Sequence, residues 1–240
     1  IRDPYVILGL VIIGVFILFV FSKMPDSNDK SSSKNIGVIF KKLVKNSRYS
    51  QGVIAQIFYV GAQIMCWTYI YQYSEGIGID NVTAGYYQMA AFILFVVGRA
   101  VATFLFRFFN PGKLLMIFAL FAIVASLGVM LIDNYMGLYC LVAVSLFMSL
   151  MFPTIYGIAL GDLSEEESKI GSAGLVMAIV GGALMPKFQG MIIDIGGYNV
   201  DDVSILGMSE MNFSFILPLL CFIFIAFYGL KSNTIIKNSY

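Results

Sequence analysis

The chain has 240 residues, of which 59% are hydrophobic and 12% are charged, whereas soluble globular proteins average roughly 45–50% and about 25%. A soluble fold of this size cannot hide so much apolar surface, so the composition indicates an integral membrane protein. The net charge of +1 and the lack of histidine give no basis for nucleic-acid binding and remove the commonest metal ligand and general base. We therefore expect no enzyme activity, no metal site and no cofactor.

Seven apolar stretches are long enough to cross a bilayer, because about 20 helical residues span its roughly 30 Å hydrocarbon layer. They run approximately over 4–22, 51–73, 83–109, 113–132, 137–161, 172–194 and 210–230. Residues 23–50 form the one long connection. Within it we expect the polar residues 27–33 to be disordered, and 36–43, where apolar residues are mixed with lysines, to form a short helix on the membrane surface.

Basic residues are distributed unevenly between the two sides of the predicted bundle. Of the 15 lysines and arginines, 12 fall on the side of the long connection and the last residues, and the positive-inside rule makes that side cytoplasmic. The first residue is then outside and the C-terminus inside. Because the chain begins with Ile1 and nothing there resembles a signal peptide, we expect it to start within a longer polypeptide. The chain thus has one span, a linker and six further spans. This is the pattern that remains when a protein of two six-helix halves lacks the first five of its twelve helices.

Arg99 is the residue that most strongly indicates a cavity. It lies about sixteen residues into the third span, where a charged side chain costs at least about 2.5–3.5 kcal/mol on insertion scales. It must face water, a carboxylate or a ligand; the alternative is that it snorkels or pairs with a neighbouring helix. Phe92, Phe95, Arg99 and Thr103 recur in steps of three or four and so share one helix face.

The second span carries a polar and aromatic face with the same spacing, which consists of Gln56, Tyr59, Gln63, Trp67 and Ile70. Amides and large rings suit a sugar, because its hydroxyls need both donors and acceptors and its apolar ring faces stack on aromatic rings. The same side chains can instead hydrogen-bond between helices. Trp67 also suits the aromatic belt at the outer boundary.

The later spans are interrupted by proline and glycine rather than by charge. Pro153, four residues after Ser149, frees a backbone carbonyl and permits a bend, which suits either a gating helix or a static kink. The sixth span carries small residues that indicate close helix packing, among them Gly174, Ala178, Gly181 and Gly182. We find no Asp or Glu at mid-membrane depth. Since a proton-driven transporter needs a titratable group in its pathway, we expect any coupling carboxylate to lie outside this sequence.

Short strings along nearly the whole chain resemble the fucose:proton symporters of the major facilitator superfamily, which lie in bacterial inner membranes. They are Asp3-Pro4-Tyr5, Ala55-Gln56, Tyr59-Val60-Gly61-Ala62-Gln63, Cys66-Trp67, Thr83-Ala84-Gly85, Gly98-Arg99, Phe147-Met148-Ser149, Pro153-Thr154-Ile155, Gly181-Gly182 and Leu220-Cys221-Phe222. The resemblance implies an all-α integral membrane fold: the C-terminal six-helix half of a twelve-helix protein, plus one preceding helix. Residues 1–22 are then helix six, 23–50 the cytoplasmic loop between the halves, and 51–240 the C-terminal domain with a short cytoplasmic tail.

The resemblance also implies a function: a secondary active transporter that imports a monosaccharide, L-fucose first, together with protons, which carboxylates of the N-terminal half take up. Arg99 inherits the cavity position of the family's Gly-Arg pair, and Phe95 lies beside it. Where this family has a cavity tyrosine before Pro-Thr-Ile, the chain has Phe152, which leaves glucose, galactose or another hexose open. We expect the sugar to be contacted by Arg99, Gln56, Tyr59, Gln63, Phe95, Phe152 and Trp67. A seven-helix receptor or sensor is the alternative outside the family, and the 28-residue basic loop after the first span argues against it.

Overall fold

The computed structural model describes residues 2–21, 36–195 and 204–237. Over these ranges the chain is almost entirely helical, and one isolated β-bridge joins Ile205 to Met208. The helices are α1 (Arg2–Phe21), α2 (Ile36–Lys45), α3 (Ser47–Thr68), α4 (Ile70–Gly76), α5 (Asn81–Leu105), α6 (Pro111–Leu131), α7 (Tyr135–Met148), α8 (Met151–Leu160), α9 (Glu165–Met177), α10 (Gly181–Ile193), α11 (Glu210–Ser214) and α12 (Ile216–Lys237). A single 3₁₀ turn, Ala178–Val180, joins α9 to α10.

The first of two compact units, Ile1–Asn35, is described through α1. This helix has 20 residues, which at 1.5 Å each gives about 30 Å, the thickness of the hydrocarbon layer. It coincides with the first predicted span, although the apolar stretch within it, Gly9–Leu18, is shorter than a full span. The predicted disorder of 27–33 lies outside the described residues.

The second unit, Ile36–Tyr240, holds the other predicted spans. Five helical segments there are long and apolar enough to cross a membrane: Asn81–Leu105, Pro111–Leu131, Tyr135–Leu160, Glu165–Ile193 and Glu210–Asn233. The pair α3 and α4 makes a sixth if it is counted as one span, with a bend of 41° between the two helices. The six predicted spans from 51–73 onward each coincide with one of these segments, so their prediction from hydropathy is confirmed. The bend after Thr68 was not predicted.

Polar residues in the connections fix where several helices begin, because a side-chain oxygen can accept the free N–H groups of the first turn. Asp80 accepts from the backbone N–H groups of Val82 and Thr83, each at 3.1 Å, at the start of α5. Hydrogen bonds from Thr83 and then Val82 hold the pKa of Asp80 below its usual range. The cap is therefore complete above the pKa of an unfolded aspartate and is lost only as the pH falls through the lower folded value. At the start of α9, Ser164 and Glu167 form a capping box.

The helix α3 is central to the second unit and packs against α12, α10 and α8. Its glycines make this possible, since a Cβ on Gly52 would lie 2.6 Å from the Cβ of Ala159, and one on Gly61 would lie 2.5 Å from Cγ of Met185. Phe58 on α3 meets Phe224 on α12 edge to face, with ring centroids 5.1 Å apart. The predicted close packing of small residues in the sixth span is also confirmed, because a Cβ on Gly182 would lie 2.9 Å from Cγ1 of Ile64 on α3.

The predicted short helix at 36–43 is present as α2, which packs on α9 and the start of α3. Leu43 is buried there in a small apolar cluster with Tyr49 and Leu175. Lys42 on α2 forms an ion pair with Glu167 on α9, with Nζ and Oε1 at 2.5 Å. These contacts attach α2 to the helical unit, while its position on a membrane surface and the domain limits 1–22, 23–50 and 51–240 stay predictions.

Candidate functional site

The site is organised around a break between α7 and α8, which together make one span. Pro153 has no N–H group, so it cannot donate to the carbonyl of Ser149 four residues earlier. The helical hydrogen bonds resume at once, because the N–H of Thr154 donates to Leu150 at 3.2 Å. Nε of Arg99 on α5 donates to the Ser149 carbonyl at 3.3 Å. The arginine therefore supplies the donor that proline removes.

The glycine before this arginine lets α5 come close to the break. A Cβ on Gly98 would lie 2.6 Å from Oγ of Ser149 and 2.7 Å from the carbonyl oxygen of Leu146. Real Cβ atoms do not approach so closely, so a larger residue would separate the two helices. The pair Gly98-Arg99 thus combines close approach and hydrogen bonding at one place.

The guanidinium of Arg99 has few other partners. Its central carbon lies 5.1 Å from the ring centroid of Phe95, within the range of a cation–π interaction. In the described part of the chain no carboxylate lies within ion-pair distance of Arg99, and the residue is exposed. Arg99 bonds to a neighbouring helix, as the alternative prediction has it, and it also leaves most of its five N–H donors available, as a binding role requires.

Trp67 lies at the centre of an aromatic cluster beside Arg99. Its ring meets Phe92 and Phe95 edge to face, with centroids 4.9 and 5.2 Å apart. Its indole N–H donates to Oγ of Ser145 on α7 at 3.1 Å. The polar atom of Trp67 is therefore bonded inside the bundle, unlike that of a boundary tryptophan, which faces the headgroups.

Tyr59 and Gln56 lie deeper in the bundle, each with 0% of its surface exposed. The Tyr59 ring contacts Phe152 at 6.0 Å between centroids, and Phe152 stacks on Tyr156 at 6.4 Å. Among the described residues, the amide nitrogen and oxygen of Gln56 have no hydrogen-bond partner, and the hydroxyl of Tyr59 has none either. Burying a polar atom unpaired costs about 1–3 kcal/mol, so a role in packing alone does not account for these two side chains.

The structure brings together some of the predicted residues and separates others. Trp67, Phe95 and Arg99 form one continuous set of contacts, whereas Tyr59 contacts Phe152. Gln63 is half-buried and belongs to none of these contacts. The bond between Trp67 and Ser145 was not predicted, because 78 residues separate the two and no local pattern signals the pairing.

The helices are long enough to cross a membrane, and the one broken at a proline lies against Arg99. The chain is therefore part of a polytopic membrane protein with a polar site between its helices. Residues 2–186 match the family model described as Major Facilitator Superfamily, and the chain belongs to this superfamily. This membership argues against the seven-helix receptor or sensor.

Its relatives are transporters. The chain is 47% identical over 238 residues to the L-fucose-proton symporter of Haemophilus influenzae. This match covers 99% of the chain and 54% of that protein. It is 30% identical over 204 residues to the L-fucose-proton symporter of Escherichia coli, covering 82% and 46%. It is 29% identical over 238 residues to the glucose/galactose transporter of Brucella abortus, covering 96% and 53%.

The fold agrees with a solved structure. A crystal structure of the E. coli fucose:proton symporter matches with a TM-score of 0.80 at 28% identity, covering 96% of the chain and 55% of that protein. A second crystal structure, of the outward conformation, gives 0.79 at the same identity and covers 54%. The predicted all-α membrane fold is confirmed, and the chain spans about half the length of the relatives it matches.

Proposed function

We propose that the protein containing this chain is a secondary active transporter that imports a monosaccharide, most favourably L-fucose, together with protons. The chain would supply the C-terminal six-helix half and the helix before it. The 47% identity to a fucose-proton symporter supports this substrate class. The observation that carries the proposal is the bond from Arg99 to the Ser149 carbonyl, because it sets an exposed guanidinium at a break in a membrane span.

In this proposal the site binds sugar in two ways. The free N–H groups of Arg99 donate to the sugar hydroxyls, and the ring faces of Trp67 and Phe95 contact the apolar face of the sugar. Gln56 and Tyr59, whose polar atoms are unpaired among the described residues, supply further donors and acceptors when the helices separate. Gln63 and Phe152 complete the predicted wall.

The broken helix gives the site a way to move. Because α7 and α8 are joined only through the 149–150 segment, they can change their relative angle without breaking a continuous helical ladder. The Arg99 bond to Ser149 is the contact from α5 that such a movement would alter. Alternating exposure of the sugar would then involve the pairing of α5 with this break.

A hexose such as glucose or galactose is the second candidate. Phe152 offers no hydroxyl where the resembling symporters have a tyrosine, and the chain is also similar to glucose/galactose transporters. The 47% identity to an L-fucose-proton symporter keeps L-fucose as the first candidate, and the difference at Phe152 is the reason to compare the three sugars directly.

We also propose the orientation and location. The exposed lysines of α2, Arg107 just after α5, Lys113 in the first turn of α6 and Lys169 near the start of α9 belong to the side on which the sequence concentrates basic residues, which supports a cytoplasmic assignment of that side. The N-terminus of the chain is then outside and the C-terminus cytoplasmic, in a bacterial inner membrane. The coupling carboxylates would lie in the N-terminal half of the protein.

The test is uptake of radiolabelled L-fucose, D-galactose and D-glucose into membrane vesicles that contain the whole protein, with and without an imposed pH gradient. We expect gradient-driven accumulation of L-fucose above the other two sugars. Accumulation of glucose or galactose instead would support the second candidate. If none of the sugars accumulates although the protein is in the membrane, sugar symport is wrong.

Replacing Gln56 by leucine separates a binding role from a packing role. If Gln56 binds sugar, Gln56→Leu should raise the free energy of unfolding by about 1 kcal/mol or more, because it removes a buried unpaired amide, and should reduce uptake. Thermal unfolding in detergent and uptake in vesicles measure the two effects. Gln63→Leu, at a half-buried position on the same helix, is the matched control and should not gain stability. Loss of stability in Gln56→Leu would show that the amide bonds between helices.

A further inference from the structure

Two serines at the end of α7 each accept a hydrogen bond from a different helix. Ser145 lies within α7, and Ser149 follows it directly in helical conformation, so the two positions are one turn apart on the same face. Oγ of Ser145 accepts the indole N–H of Trp67 on α3 at 3.1 Å. The carbonyl of Ser149 accepts Nε of Arg99 on α5 at 3.3 Å. Both walls of the candidate site are therefore bonded to this one turn.

The bond between Trp67 and Ser145 determines which part of the indole a ligand can meet. Ser145 has 0% of its surface exposed, whereas Trp67 is half-buried. The indole has one polar hydrogen and can donate one hydrogen bond, and Ser145 accepts it. Trp67 therefore has no donor left for a ligand and can contact one only through its carbon ring.

Ring contacts carry the orientation of Trp67 to Arg99. Trp67 meets Phe95 edge to face, with centroids 5.2 Å apart, and the central carbon of the Arg99 guanidinium lies 5.1 Å from the Phe95 centroid. Edge-to-face pairs depend on the angle between the two rings, so an indole that turned would also displace Phe95. Ser145 is thus linked to the guanidinium through two intervening rings.

We propose that Ser145 is a positioning residue of the sugar site, which fixes the orientation of the Trp67 ring without contacting the sugar. This inference rests on the proposed function, because it takes Trp67 as the ring on which the apolar face of the sugar stacks. A ring that is already held in its bound orientation loses less freedom when the sugar arrives. Trp67 then contributes apolar contact alone, while hydrogen bonds to the sugar hydroxyls come from other side chains such as Arg99.

Uptake of L-fucose by the whole protein tests the proposal with a double-mutant cycle of Ser145→Ala and Trp67→Phe. We expect Ser145→Ala to raise KM about fivefold, the effect of one neutral hydrogen bond, with little change in the maximal rate per protein in the membrane. Phenylalanine has no N–H group, so Ser145→Ala should not raise KM further in the Trp67→Phe background. An unchanged KM in Ser145→Ala, or an effect that adds fully to that of Trp67→Phe, would overturn the proposal.

The same proteins allow a measurement that needs no sugar. Trp67 is the one tryptophan among the 240 residues, and subtracting the emission of the matching Trp67→Phe protein isolates its fluorescence within the whole protein. Ser145→Ala should increase the quenching of Trp67 by acrylamide, because a ring released from α7 opens more readily to solvent. Unchanged quenching would overturn the proposal. If the unsubstituted protein takes up no sugar but quenching still rises, the proposed function fails while Ser145 still positions Trp67.

Ser126→Ala is the matched control. Ser126 on α6 is 1% exposed, and its Oγ has no hydrogen-bond partner among the described residues, so its loss should change neither KM nor the quenching of Trp67. An equal rise of KM in Ser126→Ala would assign the effect to packing of the bundle and overturn the proposal. If Ser145→Ala does not reach the membrane, Ser145→Cys takes its place, because a thiol is a weak acceptor of similar size.

Discussion

Replacing Arg99 by alanine should lower sugar uptake by the whole protein at least about tenfold while the protein remains in the membrane. Two effects combine. The proposed hydrogen bonds from the guanidinium to the sugar are lost, and hydrogen bonds to charged groups contribute about 1.5–3 kcal/mol each, where 1.4 kcal/mol is a factor of about ten. The carbonyl of Ser149 also loses the donor that now replaces the missing N–H of Pro153.

Uptake kinetics and the amount of protein in the membrane together measure this effect. Arg99→Lys keeps the charge but loses the planar array of donors, so we expect it to recover only part of the activity. Arg107→Ala is the matched control, because Arg107 is exposed just beyond the end of α5 and should transport normally. Normal uptake by Arg99→Ala at a normal membrane level would remove Arg99 from the pathway.

The order of the helices could be predicted because membrane insertion depends on local composition. Each long apolar stretch from 51–73 onward became a helical segment of membrane length, and α2 was also anticipated from its mixture of apolar and basic residues. The bend between α3 and α4 was not anticipated. No proline or glycine marks it: α3 ends at Thr68, Tyr69 follows, and the chain continues as α4.

The candidate site could be predicted only in part, because local sequence shows that a polar group lacks a hydrogen-bond partner but does not show which distant residue supplies one. Pro153 has no N–H group, so the sequence analysis could predict that a backbone carbonyl in this span loses its helical donor. Its partner Arg99 lies 50 residues away, and only the fold joins them. In the same way, Trp67 was predicted on the polar face of the second span, with the outer boundary as the alternative, but the sequence could not show that its N–H bonds to Ser145 on another helix.

Burial was the least predictable property of the site. A helical face that alternates amides and aromatic rings can point to a cavity or to other helices, since both orientations use the same spacing. The structure places Gln56 and Tyr59 among packed helices with unpaired polar atoms, and leaves Arg99 exposed.

The close approach of α3 and α10 depends on Gly181, and Gly181→Ala should lower the free energy of unfolding by about 1–3 kcal/mol or more, the range for an overpacked core. A Cβ at Gly181 would overlap the carbonyl oxygen of Ile57 and lie 2.8 Å from its carbonyl carbon. Both of these atoms belong to the backbone of α3, so no rotation of a side chain relieves the overlap. The two helices must then separate. Glycine is therefore the one residue that fits at this predicted packing position.

Thermal unfolding of the variant in detergent, followed by the reaction of a dye with the buried thiols of Cys66 and Cys221, measures this cost. Gly157→Ala is the matched control, because a Cβ on that helical glycine has nothing within 4 Å. Alanine is favoured over glycine in a helix by up to about 1 kcal/mol, so Gly157→Ala should be as stable as the unsubstituted protein or more so. The two substitutions add the same methyl group, and opposite results would assign the loss to contact with α3 rather than to helix propensity. Equal melting of both variants would mean that α10 can move away from α3 without cost, and the tight packing of this pair would be wrong.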